Sequence, residues 1–505
     1  KPSGDDDMDQ KVYDETVAEA KEGWLKGPWA ADKLNSRHGR MWIPSSRFGI
    51  RQGAEGKVRV IDDLSRFGQN STVVSTDEVP LGGIDEIAGM VKLWAQAVQP
   101  DGSVVVDCGG GRVLRGRLHQ EWTPNSARDL RGRAVDLKAA YKQLTRCRAD
   151  AAFAIVAVWN PNKNEVEYYE AVALPFGGSG CVYGFNRAAT ALKLLVSTDF
   201  LVCQSNFYDD FPCVEPAALY DEECDPVVGA LEILGWTVST KKLKPFCSEF
   251  ASLGVLFRLS ENLAIANTEA RKVALSADIK GFLEGGKMSK HEAAALRGRL
   301  VHAEAQHFGR CGSLAMGALS RRAEGTERTE VSQELRRSLL FALWLVNEAP
   351  ERIIRLVDNT KPNLVFVDGA AEEDLVTVGA IIFPGGDEPV EHFGFVVPAD
   401  IVAWWRSQGS RQVIGQCELY TVPVAKRTWS RLLSQRRNLF FVDNESARHA
   451  LINGSSPSTF SAEILVVSVK TDAEQSALSW YIRVPSAANW GDGPSRLDFA
   501  EAEAI

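Results

Sequence analysis

No run of this 505-residue chain approaches the ~20 uninterrupted apolar residues that a membrane-spanning helix needs. Residues Lys1 to Gln10 are acidic and polar and contain no apolar signal region. Position 1 is not Met, which reads as a piece cut from a longer chain, a polyprotein. Nine cysteines are scattered along the sequence, yet none forms a CxxC pair or joins histidine in a zinc-finger series. That speaks against a zinc module, and reduced, partly buried thiols in an intracellular compartment, cytoplasm or nucleus, are the simple reading. Internal repeats and low-complexity tracts are missing too. Gly109-Gly-Gly111 and Gly177-Gly-Ser-Gly180 lack the Lys-Ser/Thr of a phosphate loop and read as turns. His302, Glu304 and His307 do not make H-E-x-x-H, so packing explains them better than a metal.

What remains is an ordinary globular composition, 45% hydrophobic and 24% charged, over a length that suggests two to four domains. The net charge of −9 opposes general phosphate binding, but it is an average. Arg128, Arg131, Arg133, Lys138, Lys142, Arg146 and Arg148 form a dense basic run, and Lys241, Lys242 and Lys244 form a second. Residues 1–45 are polar and Trp-dotted and read as a surface-wrapping lead-in. Over 46–260, strand-like runs (Val58–Ile61, Ala152–Val158, Phe200–Cys203) alternate with helical patterns. Residues 261–360 turn helical, as in Lys290–Leu300 and Gln333–Glu348. Lys361-Pro362 interrupts, and 361–505 reads as a mixed α/β domain beginning with the strand Leu364–Asp368.

Within the second segment, Asp209 and Asp210 sit between an apolar run, Phe200–Phe207, and Phe211-Pro212, as a tight hairpin would present them. Asp136 ends the strand-like Arg133-Ala-Val-Asp136, with a helix expected from Leu137. Asp is a common turn residue, so the pair alone describes a turn. Two strand ends that each carry an acid can nevertheless share Mg²⁺, which takes oxygen ligands; a pair of such ions ~3.5–4 Å apart catalyses in-line phosphoryl chemistry.

The company of these acids is ordered. Phe48-Gly-Ile-Arg-Gln-Gly53 and Lys57-Val-Arg59-Val-Ile-Asp-Asp63 precede Asp136-Leu-Lys-Ala-Ala-Tyr141, followed by Leu174-Pro-Phe-Gly177 and Phe207-Tyr-Asp-Asp210. Leu234-Gly-Trp236 with Lys241-Lys242, then Leu253-Gly-Val-Leu-Phe257, complete the series. This series resembles the fingers and palm motifs of reverse transcriptases, over about residues 40–260. The resemblance implies Asp136 and Asp209 as metal ligands and Asp210 as the weaker acid. It also implies Lys57 and Arg59 as triphosphate cations, and Tyr141 as a steric gate favouring deoxynucleotides. Phe176 and Gly177 would lie under the templating base, and Lys241 or Lys242 would be a proton donor to pyrophosphate. The sequence departs from the family at Phe207, usually tyrosine, and at Tyr208, usually a smaller residue.

The last segment carries a second set of acids: Asp368 ending a strand, Glu418 in a helical stretch, Asp443 ending Leu439-Phe-Phe-Val-Asp443, and Asp492 in Asn489-Trp-Gly-Asp492. Four acids in this strand–helix–strand–helix order resemble the D-E-D-D centre of ribonuclease H, in which paired Mg²⁺ activates water against an RNA phosphodiester. Asp443 and Asn444 also suit the cap of a helix over Ala447–Leu451. No His follows His449, where many such nucleases carry a mobile one.

Together with Ile414-Gly-Gln-Cys-Glu418 and the helical tract 290–322, the chain resembles retrotransposon Pol proteins, closest to the tyrosine-recombinase (DIRS-type) class. The resemblance implies an α+β multidomain protein: a right-hand polymerase (fingers, palm, thumb) followed by a ribonuclease H-like α/β domain. It implies an RNA-directed DNA polymerase with linked ribonuclease H, using Mg²⁺ in both sites with Mn²⁺ as an alternative. The partners would be an RNA template, a DNA primer, dNTPs and the RNA–DNA hybrid, and no membrane. Two other readings are a retired polymerase-like scaffold that only binds RNA, and a telomerase-like or intron-type enzyme. The first predicts lost carboxylates, but all seven are present; the second does not usually carry a linked ribonuclease H.

Overall fold

Alternation of apolar and polar residues over Val58–Ile61 sets a strand, Lys57–Asp63, at the edge of a five-stranded sheet. In this computed structural model every residue is described except 1, 53–55, 75–77, 220–224, 308–310, 326–328, 358–359, 373–374, 408–411 and 457, and the side chains of 52, 57 and 305. The architecture is mixed α and β with several sheets. The chain divides into two units, Lys1–Ile87 with Arg133–Phe246, and Ala88–Gly132 with Cys247–Ile505. No helix among the described residues is long and apolar enough to cross a membrane.

In the first unit the sheet order is Leu25–Trp29, Glu165–Ala171, Ile155–Asn160, Pro44–Gln52, Lys57–Asp63. The stretch expected to wrap the surface supplies the edge strand and the helix Asp6–Lys21, N-capped by the Asp5 side chain on Met8 N. Its Met8 and Val12 bury against Val156, Val158 and Tyr169. A second core gathers Val135, Phe185, Ala189, Leu192, Phe211 and Leu231 around the helix Ser179–Asp199. Two sequence expectations fail nearby. Phe200–Cys203 forms no strand, because the helix ends at Phe200 and Leu201 turns left-handed at φ 56°. Leu137 starts no helix: it bridges to Val238, and a short 3₁₀ turn follows at Ala140–Gln143.

A buried ion network ties these pieces together. The Arg47 guanidinium donates to both Asp62 oxygens (2.8 and 3.0 Å), to Glu19 (2.7 Å) and to Thr16. Lys142 Nζ reaches the same Glu19 at 3.1 Å. Removing one partner of a buried pair leaves an uncompensated charge. Glu19→Ala is therefore expected to cost about 3 kcal/mol of unfolding free energy in urea titrations. Lys11→Ala, on the exposed pair with Asp7, should leave the transition in place.

In the second unit the helices Glu269–Gly285, Lys290–Glu304, Ser313–Glu324 and Gln333–Asn347 share one core containing Leu275, Leu296, Leu319 and Leu339. Lys361-Pro362 lies just before the strand Asn363–Glu372, which opens a five-stranded sheet. Its order is Glu391–Val396, Leu375–Phe383, Asn363–Glu372, Arg437–Val442, Leu478–Arg483. The first three strands pair antiparallel and the last two join parallel. The helices Ile414–Thr428 and Thr459–Gln475 pack on it through Val422, Ala425, Ile464 and Leu465.

Candidate active sites

In the first unit Phe207 and Asp210 exchange backbone hydrogen bonds (2.9 and 3.0 Å), closing a two-residue turn on Tyr208 and Asp209. Tyr208 sits there at φ 52°, a conformation that costs a non-glycine residue about 1 kcal/mol or more and that the surrounding pairing must hold. Leu137 N donates to Asp209 O, and Ser239 N to Asp136 O at 2.8 Å. Asp136, at the end of the strand Leu130–Asp136, is thus flanked by the turn on one side and by residues 237–242 on the other. The same neighbour segment delivers Lys242, whose Nζ lies 2.8 Å from Asp136 Oδ1. Lys242, rather than Lys241, is therefore the lysine at the acids.

Electrostatics register the crowding. Burial, then the Asp209 and Asp136 charges, push the Asp210 carboxyl up to about 6. Asp209 is raised in the same sense, by burial and by Asp136, against the opposing pull of Lys242 and Arg59. Lys242 is held protonated above its usual range by its bond to Asp136.

The other predicted nucleotide residues line up around this turn. Arg59 lies over the Phe176 ring at 4.3 Å. Tyr141 stacks on Phe185 at 4.6 Å and meets Phe176 edge-on at 5.6 Å. Burial, with Tyr208 and Asp209, lifts its hydroxyl to about 12. Gly177 has φ 124°, and a Cβ there would come within 2.2 Å of Asp62 O, so a side chain is excluded. Asp62 N bonds Phe176 O, which connects this loop to the Arg47–Glu19 network. No local pattern signals that network, because its members are 15 to 123 residues apart. Gly53 and the Lys57 side chain lie outside the described residues.

In the second unit Asp368 sits in the central strand Asn363–Glu372, and Asp443 directly follows its parallel neighbour Arg437–Val442. Glu418 projects from the helix Ile414–Thr428, which approaches so closely that a Cβ on Gly369 would meet Glu418 N at 2.9 Å. Thr421 Oγ1 fixes the helix to Asp368 O at 3.1 Å. Gly491 passes equally close to Asp368 N, bringing Asp492 to the same strand. Asn444 caps the helix Glu445–Asn453 as expected.

Here too the acids feel one another. Burial, followed by the Asp443 charge, raises the Glu418 carboxyl to about 8; burial, with Asp443 and Asp492, raises Asp368 to about 6 against a bond from Ser495. Glu418 Oε2 and Asp443 Oδ1 are buried without a hydrogen-bond partner. Ser495, which the sequence did not single out, donates to Asp368 Oδ2, and Arg496 to Asp492 Oδ1 at 3.0 Å.

Among the described residues no three His, Cys, Asp or Glu side chains stand in a ready-made ion cage in either unit. Protein donors hold Asp136, Asp368 and Asp492 instead. The donor sets fit a hard divalent cation all the same: they are carboxylate oxygens, and two of them are buried acceptors with nothing to accept.

The raised acids predict a pH dependence. Glu418 binds its proton more tightly folded than unfolded, so its contribution is complete below pH 4.5 and is lost as pH rises through about 8. Without divalent cation, stability should fall by about 4 kcal/mol from pH 5 to pH 8.5, and Glu418→Gln should remove most of that slope in urea melts.

No family model and no curated sequence matches the chain. Among solved structures it is similar to a foamy viral protease–reverse transcriptase in complex with double-stranded DNA, at 14% identity and a TM-score of 0.47, over 94% of this chain and 69% of that one.

Proposed function

We propose that the chain synthesises DNA on an RNA template with its first unit and hydrolyses the RNA of the hybrid with its second, as a retrotransposon Pol protein. The observation that carries this is the pairing of the Phe207–Asp210 turn with the end of the Asp136 strand, bracketed by Lys242, Arg59 and Tyr141. Mg²⁺ held by Asp136 and Asp209 would supply charge neutralisation for nucleotidyl transfer, and Mg²⁺ held by Asp368, Glu418, Asp443 and Asp492 the same for RNA hydrolysis.

The chain's own residues account for the rest. Arg59, steadied on Phe176, offers a forked donor to a triphosphate. Tyr141, pinned between Phe176 and Phe185, presents a rigid edge beneath a sugar, where a 2′-hydroxyl would clash. Lys242, exposed along most of its length, can leave Asp136 and protonate pyrophosphate. The helices of 269–347 form the thumb in this reading, and the sheet of 363–483 the ribonuclease H-like domain.

The test is extension of a primed RNA template with dNTPs in Mg²⁺. Full-length DNA product is expected, together with shortening of a labelled RNA strand in the hybrid. No product from the wild-type chain would sink the polymerase half. Calorimetric Mg²⁺ titration separates it from a retired scaffold, which would show no binding sensitive to substitution of these acids.

A further inference from the structure

The antiparallel hairpin Ser103–Asp107 with Val113–Arg117 is pinned near its base, where Leu118 N bonds Gly102 O, Gln99 N bonds Ser103 O and Val104 bridges to Val98. Every residue of its second strand is exposed. A lone two-stranded ribbon is marginally stable in water. This one also exposes Val113 and Leu114, and three left-handed glycines, Gly109, Gly110 and Gly111, form its tip. From Cys108 to Gln120 there is no acidic residue, but there are three arginines, within a chain of net charge −9.

The register places Arg115 opposite Val105 and Arg117 opposite Ser103, so the two arginines share a face about 7 Å apart. Arg112 stands at the tip. Arg112 and Arg115 meet no carboxylate among the described residues, while Arg117 donates to the Asp101 backbone oxygen and helps to hold the Asp101 carboxyl below its usual range. Asp107, the nearby acid, is turned to the Gly109 amide at 2.8 Å. Two guanidinium groups on one face, with a third at the tip, suit the phosphates of a nucleic-acid backbone. A two-stranded ribbon also has the width that a DNA major groove admits, and a tip without Cβ atoms can approach closely.

We propose that this hairpin is a duplex-binding arm that grips the DNA backbone through Arg112, Arg115 and Arg117. The inference rests on surface chemistry and does not depend on either site being active.

The test is equilibrium binding of the full chain to a fluorescent blunt DNA duplex in chelator, without dNTPs, over a range of salt. Arg112→Gln/Arg115→Gln/Arg117→Gln should lower the slope of log affinity against log salt by about 2.7, at ~0.9 per phosphate contact. Between 50 and 200 mM salt the wild type should then lose about forty-fold more affinity than the variant. The triple Lys variant should keep most of the slope. If the triple Gln chain melts early, each single Gln variant should still lower the slope by about 0.9. An unchanged slope in the Gln variants overturns the proposal. So does loss of binding to poly-glutamate with duplex binding intact, which would assign the arm to an acidic protein. Failure of primer extension would leave this result untouched.

Discussion

Asp209→Asn is expected to reduce dNTP incorporation by about 10³-fold or more while leaving the folded chain at least as stable. A carboxylate that neutralises charge through a divalent ion contributes several kcal/mol to the transition state, and each 1.36 kcal/mol is about tenfold in rate. The amide keeps the size of the side chain and its place in the turn, whose closure depends on the backbone of Phe207 and Asp210. It removes a buried charge that Asp136 opposes, so the melting temperature should hold or rise. Asp210→Asn should cost less activity, because its carboxyl, raised to about 6, gives up its proton later and sits past the tip of the turn, at its closing pair. Single-turnover extension at saturating dNTP, with thermal melts alongside, measures both effects. Equal rates for wild type and Asp209→Asn would remove Asp209 from the chemistry.

Several of the acids were legible because a carboxylate at a strand end followed by turn residues leaves a mark in sequence. Glu418, Asp443 and Asp492 fell on the expected helix, strand end and helix start, whereas Asp368, expected to end its strand, lies inside Asn363–Glu372, which continues because it pairs with Leu375–Phe383 out to Glu372. Local pattern misled where tertiary pairing decided. Phe200–Cys203 is apolar enough for a strand, yet it follows a 21-residue helix and must reverse at Leu201. Leu137 has helical neighbours in sequence, but Val238 claims its backbone. The choice between Lys241 and Lys242 had no sequence signal, since only the path of residues 237–242 beside Asp136 sets which ammonium arrives. Glu19 and Arg47 were silent for a related reason: a buried charge looks like any surface charge until its partner is known. The hairpin of residues 103–117 could have been suspected from three arginines without an acid, but its exposure could not.

Asp443→Asn should abolish RNA hydrolysis, by about 10³-fold or more, without changing DNA synthesis. Asp443 follows a strand paired on both sides over Asn438–Phe441 and on one side out to Val442, and the next residue, Asn444, carries the helix cap, so the substitution leaves the local fold supported. Its Oδ1 is buried with no donor, and its charge is the largest electrostatic push on Glu418 after burial. Neutralising it should lower the Glu418 carboxyl from about 8 and flatten the loss of stability above pH 7. One substitution therefore carries two readouts of opposite sign: RNA cleavage falls while stability at pH 8.5 in chelator rises. A structural acid would give the reverse pattern, with lower stability and cleavage falling only as far as the folded fraction does. Gel analysis of a labelled hybrid, with urea melts of the same preparations, distinguishes the two, and intact hydrolysis by the Asn variant would exclude Asp443 from the site.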